Sequence, residues 1–254
     1  MILLGAVTIT GIYFYLKDDL PDVTTLQDVR LQTPMQVYTA DGELISQFGE
    51  KRRIPLKLAE MPPLLVQAFL AVEDTRFYEH PGIDIIGIFR AVTVVASSGD
   101  FSQGASTITQ QLSKLLFHGE GSRNILLRIM QKAKEWIIAI RLERQYTKSE
   151  ILTMYLNKVD FINTAVGIRS ASRVYFSKEP KELTIPEAAT LVGMLTNPSL
   201  FNPVKRPEKV QQRRNVVLKQ MYRSDFIDEN TKERLQKEPL VLRFSPDSHN
   251  QGLA

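Results

Sequence analysis

Cysteine is absent from the 254 residues, which excludes a disulfide framework, a thiolate zinc site and a cysteine nucleophile. An extracytoplasmic protein of this size does not need disulfides, so the absence leaves the compartment open. Histidine is scarce: His80, His118 and His249 are the three present, none in an HExxH spacing, so no histidine-built metal site is expected. Internal repeats and low-complexity tracts are lacking. A strong charge of one sign is lacking too. The 32 Lys and Arg face 28 Asp and Glu, and a net charge of +4 suits anionic lipid, phosphorylated substrates, nucleic acid or none of them. With 43% hydrophobic residues, the length fits one large domain, or one domain with an appendage.

No apolar run reaches full membrane-spanning length. Residues 1–16, MILLGAVTITGIYFYL, carry no charged side chain, and Lys17-Asp18-Asp19 ends them. Sixteen helical residues cover about 24 Å, short of a hydrocarbon core of roughly 30 Å. One reading is a signal-peptide apolar region. No small-residue cleavage site follows, however, and Tyr13, Phe14 and Tyr15 sit like an interfacial belt. The expectation is therefore a truncated transmembrane helix over 1–16, with the rest of the chain on the non-cytoplasmic side.

Residues 17–50 read as a polar stalk followed by two alternating runs around Ala40-Asp41-Gly42, a hairpin signal. Beyond them the pattern is helical almost throughout 51–235. Pro62-Pro63 open a helix through Glu73, and Pro207 opens another through Arg214 and Leu218. Thr147-x-x-Glu150 and Thr184-x-x-Glu187 are capping boxes. Residues 83–96 are apolar nearly all round, either a buried core helix or a segment that dips into a bilayer surface.

Three stretches carry candidate chemistry. Glu73 ends an apolar run and precedes Asp74, so it is either a charge emerging at the surface or an acid/base tuned by its surroundings. Gln103–Gln111 places small residues before a hydroxyl-rich helix start, either an ordinary N-cap or an anion-binding terminus. Ser106, Gln110 and Lys114 repeat every four residues and are expected on one helix face. In Arg128–Arg144, the spacing of Met130, Ala133, Ile137 and Ile140 predicts the core face. Arg128, Gln131, Lys132 and Glu135 fall opposite, with Lys134 flanking, as a solvated charge network or a cationic clamp for pyrophosphate.

Taken in order, Glu73–Gly82, Gly104–Gln111 and Lys132–Glu135 resemble the first three motifs of the family 51 peptidoglycan glycosyltransferases. Ile151-Leu152-x-x-Tyr155-Leu156-Asn157 is similar to the fourth motif and Arg214-x-x-Val217-Leu218-x-x-Met221 to the fifth. The resemblance covers about residues 55–225. It departs at Gln131, where the family usually has arginine; Arg128, one turn earlier, is the candidate for that charge. It departs again at Asp160-Phe161-Ile162, where the family often reads a tyrosine and then Leu-Gly.

The resemblance implies a mainly α, lysozyme-like glycosyltransferase domain with a small N-terminal β hairpin and an N-terminal transmembrane helix. It implies polymerisation of lipid II on the periplasmic side of the cytoplasmic membrane. Glu73 would be the general base, and Glu135 the second essential glutamate. Asp74, Ser106, Thr107, Gln110, Gln111, Lys114, Arg128, Lys132 and Lys134 would bind substrate. No metal ligands are assigned; a divalent cation, Mg or Mn, at the pyrophosphate is the one candidate cofactor. The implied partners are lipid II, the growing glycan strand, membrane lipid and cell-wall synthesis proteins, and no nucleic acid. Competing readings are a lytic transglycosylase or muramidase, which would not need the lysines around Glu135, and a non-catalytic membrane scaffold. The chain also resembles the bifunctional class A penicillin-binding proteins, which implies that 236–254 is a linker towards a transpeptidase domain. Ser-x-x-Lys and Lys-Thr-Gly do not occur here, so this chain is not expected to bind penicillin.

Overall fold

The computed structural model describes residues 11, 16, 20, 23, 35–41, 43–48, 56–98, 106–117 and 124–245. Apart from residues 11 and 16, the expected transmembrane helix lies outside them. Among the described residues no helix is long and apolar enough to cross a membrane. The chain forms two compact units, residues 1–28 with 76–155, and residues 29–75 with 156–254.

The second unit begins with the expected hairpin. Strands β1 (Met35–Tyr38) and β2 (Leu44–Phe48) pair antiparallel, Met35 opposite Phe48, with an irregularity after Val37. Helix α1 (Pro63–Glu73) starts at the second of two prolines because a proline at the first helical position gives up no intrahelical hydrogen bond. It packs on α7 (Ile185–Leu195) and α8 (Pro207–Arg223). Leu65, Ala68 and Phe69 of α1, Leu191 and Val192 of α7, and Val217, Leu218 and Met221 of α8 form this core, all buried. Each large side chain there contributes roughly 1.5–3 kcal/mol. Small Gly193 lets α7 approach α8 closely; a Cβ there would lie 3.1 Å from the Arg213 side chain. The Thr184–Glu187 capping box forms as the sequence predicts.

Motifs four and five hold this framework. The Asn157 side-chain amide exchanges two hydrogen bonds of 2.8 Å with the backbone of Leu56. Arg214 is 1% exposed and donates to the carbonyl of Glu238 at 2.7 Å, closing the C-terminal end of α9 (Glu229–Lys237). The described residues beyond α9, 238–245, are not helical. Arg243 and Ser245 donate their N–H groups to the carbonyls of Tyr175 and Val174 at the end of α6 (Ile168–Phe176).

The loop before α6 carries strain. Ile162, Asn163 and Thr164 all have positive φ, at 57°, 49° and 65°. An Asp160–Val166 bridge, the Phe161 N–H on the Ala165 carbonyl and the Ala165 N–H on the Ile162 carbonyl close it into a tight turn. A β-branched residue in this region costs about 1–2 kcal/mol, and Ile162 stands where the resembled family has glycine. Ile162→Gly is expected to raise stability by about 1 kcal/mol, or about 2–4 °C in Tm, once the entropy of glycine is deducted. A thermal melt of the purified variant checks it.

Tyr175 locks the same loop, donating to the Phe161 carbonyl at 2.7 Å and accepting from Asn163 at 3.0 Å. Burial pushes its phenol up to about 12. The unfolded chain would lose that proton near pH 10, so between about pH 10 and 12 the folded state holds more protons and stability falls as pH rises. Alkaline denaturation midpoints should drop across that window. In Tyr175→Phe the drop should be smaller.

In the first unit, α2 (Ile85–Ser98), α3 (Ile108–Leu116) and α4 (Ile125–Gln145) are joined by the start of α5, whose full range is Lys148–Lys158. Helix α3 packs on α4. Two expectations are corrected here. The all-round apolar segment is not a buried core helix, since Ile85, Ile86, Phe89 and Val92 are each at least 59% exposed. On α4 the buried residues are Ile138, Ala139 and Leu142, whereas Ile140 is exposed. The seam against α3 therefore runs through Lys132, Glu135, Ala139 and Leu142, so part of the polar stripe meets a neighbour while Arg128 stays exposed. Thr147 and Glu150 form the expected cap of α5.

Candidate active site

The first motif divides at the unit boundary. Glu73, half-buried, is the last residue of α1 in the second unit. Asp74 caps that helix: its side chain is buried and its N–H donates to the Leu70 carbonyl at 3.1 Å. From Arg76 on, the motif belongs to the first unit, where Arg76 pairs with Asp84 at 2.6 Å. The turn ends at Gly82, whose φ of 90° is open to glycine at little cost; a Cβ there would lie 3.0 Å from the Ala139 carbonyl.

The second motif sits on that turn. Thr107 is the N-cap of α3, accepting from the Gln110 N–H at 3.2 Å while its hydroxyl donates to the Gly82 carbonyl at 2.6 Å. Gln110, 1% exposed, donates to the same carbonyl at 3.3 Å. Ser106 precedes the helix, so it does not share a helical face with Gln110 and Lys114. The three differ in exposure too: Ser106 is half-buried, Gln110 buried and Lys114 exposed. Gln111 accepts from the Tyr155 hydroxyl at 2.9 Å.

The third motif meets the second through Lys132. The Lys132 ammonium donates to Ser106 Oγ at 2.8 Å and to Glu135 Oε2 at 3.0 Å. Ser113 of α3 donates to the Glu135 backbone carbonyl at 3.3 Å, fixing the helix pair at that level. The Glu135 side chain is 14% exposed and that of Lys132 39%, so the pair lies at a partly covered surface. Lys134 is half-buried, while Arg128 and Lys114 are exposed and lie outside this hydrogen-bonded group. Ser106, Lys132 and Glu135 are thus brought together; Arg128 is not shown to replace the charge missing at Gln131. Among the described residues no three His, Cys, Asp or Glu side chains group as a metal site would require.

Sequence reasoning passed over several polar groups of this unit. Thr109 donates to Glu143 Oε1 at 2.5 Å, and Lys148 donates to the same oxygen at 2.9 Å and to the His80 carbonyl at 2.6 Å. Lys148 stands inside a sequence already read as a helix cap, and Glu143 inside a run of charges, so neither was singled out.

The family model described as Transglycosylase matches residues 41–222. Penicillin-binding protein 1A of Vibrio cholerae is 49% identical over 243 residues, covering 96% of this chain and 29% of that protein. Penicillin-binding protein 1A of Escherichia coli is also 49% identical, with 28% of its length covered. The chain thus spans less than a third of these relatives. A crystal structure of penicillin-binding protein 1A from Haemophilus influenzae aligns at 31% identity and a TM-score of 0.48, over 85% of this chain and 22% of that one. Five ordered motifs and a family match across most of its length agree: the chain belongs to the transglycosylase family, the peptidoglycan glycosyltransferases that its motifs resemble.

Proposed function

We propose that this chain polymerises lipid II into glycan strands and releases undecaprenyl pyrophosphate. The observation that carries the reading is the Lys132 ammonium held between Ser106 and Glu135 beside the N-terminal turn of α3, in a member of this family. Glu73 takes the proton of the acceptor sugar's 4-hydroxyl. That oxygen bonds to the anomeric carbon of the donor strand, the bond from that carbon to the pyrophosphate oxygen breaks, and the pyrophosphate leaves with the electron pair. Attack opposite the leaving group inverts the anomeric centre.

A pyrophosphate leaves without a protonated carboxylic acid to assist it, unlike the sugar alcohol of a glycoside hydrolase. What it needs is positive charge where its own charge grows. Lys132 and Lys134 supply it here, with exposed Lys114 and Arg128 free to close on a bound anion. Ser106 and Gln111 bind the donor side, buried Thr107 and Gln110 shape it through their bonds to the Gly82 carbonyl, and Asp74 and Glu135 position substrate and cations. A divalent cation, Mg or Mn, would be held by the pyrophosphate itself with one or two carboxylates.

The lipid-linked substrate requires a membrane surface. The exposed apolar face of α2, from Ile85 to Val92, is suited to lie in that interface. This supports a domain anchored at the cytoplasmic membrane by residues 1–16, with its catalytic part on the periplasmic side and cell-wall synthesis proteins as partners. Detergent-solubilised protein with labelled lipid II should give a ladder of long strands on a gel, blocked by moenomycin. Cleavage of preformed peptidoglycan with lipid II untouched would replace this reading with a hydrolase.

A further inference from the structure

The turn Arg76–Gly82 is tied down in part by Lys148 and Glu143, which the proposed transfer reaction does not itself employ. Lys148 donates to the His80 carbonyl at 2.6 Å and to Glu143 at 2.9 Å, and its ammonium lies 4.3 Å from the centre of the Phe77 ring. Glu143 also accepts from Thr109 of α3 at 2.5 Å, and its side chain is only 8% exposed. Two residues further along the turn, the Gly82 carbonyl receives Thr107 and Gln110. One carboxylate thus gathers donors from α3 and α5, while two carbonyls of a single turn are held from α5 and α3. All of these groups belong to the first unit.

Glu143 stands eight residues beyond Glu135 on α4, about 12 Å along the helix axis, too far to share its sugar. Any effect on transfer must pass through other groups. A buried ion pair is also a poor stabiliser, because desolvating both charges offsets much of their attraction. What it does impose is geometry, and the geometry it imposes is the register of the α3 N-terminus on α4. The Lys132–Ser106 bond, at 2.8 Å, joins the same two segments.

We propose that Glu143 and Lys148 are positioning residues for strand transfer: their ion pair clamps the Arg76–Gly82 turn against α3 and α4, and so holds Ser106 and Thr107 opposite Lys132 and Glu135. This rests on the polymerase reading of the same site. A displacement of the cationic group by a fraction of an ångström weakens charge stabilisation in the transition state more than it weakens binding.

The test uses the detergent-solubilised full chain with lipid II, comparing Lys148→Met, Lys148→Arg and Glu143→Gln, each checked by circular dichroism and thermal melting. Lys148→Met is expected to lower kcat between about ten- and a hundredfold with KM within about twofold of wild type. Lys148→Arg should recover most of kcat, since a guanidinium still donates to both the His80 carbonyl and Glu143. Should Lys148→Met fail to fold, Glu143→Gln carries the test alone, because its amide oxygen still accepts from Thr109 while the charge is gone; about a tenfold loss of kcat is expected. Folded variants with wild-type kcat overturn the proposal, as does a loss that arginine fails to restore. A wild type that makes no strands overturns the polymerase reading, and the proposed role falls with it.

Discussion

Replacing Glu73 with Gln is expected to lower the rate of strand synthesis by about a hundred- to ten-thousandfold, the range that a positioned general base supplies. The amide matches the carboxylate in size and polarity, and Glu73 stands at the end of α1, after the buried Leu70 and Ala71. The fold should therefore survive, with a melting temperature close to that of the parent. Lipid II binding should survive too, since the loss falls on proton removal in the transition state and not on recognition. Gel analysis of products at saturating lipid II, beside a melt of the same preparation, checks both halves. Wild-type strand synthesis by Glu73→Gln would move the base elsewhere.

Lys132→Met is the second change of large effect. The ammonium is a donor to both Ser106 and Glu135, and removing it takes away the cation that joins the two motifs. A partly exposed ion pair of this kind contributes about 0–1 kcal/mol to folding. A donor aimed at developing charge is worth about a hundred- to a thousandfold in rate. The two magnitudes separate the outcomes: kcat should fall by two to three orders of magnitude while the melting temperature moves by a few degrees at most. Lys132→Arg keeps the charge and should retain more activity than Lys132→Met. Equal activity of the two would mean that charge at this position is not used.

The local signals were legible because their partners lie three or four residues away. The Thr147–Glu150 and Thr184–Glu187 boxes, the proline-opened helices α1 and α8 and the Asp41 hairpin all form as their sequences predict. In α4 the apolar spacing was read correctly as helical and assigned to the wrong face. Periodicity shows that a stripe exists, whereas the side it turns inward depends on what packs there. Helix α3 packs on the line from Lys132 to Leu142, which carries two charges that the sequence left open between a solvated network and a cationic clamp. The same reasoning left residues 83–96 open between a buried helix and a segment at a bilayer surface, because an all-round apolar segment does not reveal whether neighbours will cover it.

Sequence by itself determined the helical class, the hairpin, the ordered motifs and the family, all of which rest on residue type and short spacing. Only the tertiary structure decided that Ser106 meets Lys132 across 26 positions. It alone decided that Ile162 is forced to positive φ in a turn closed by Asp160 and Val166, and that Glu143 gathers Thr109 and Lys148. The reason is physical. A cap or a proline acts on its own backbone, whereas a hydrogen bond between distant side chains exists only after packing has fixed both ends.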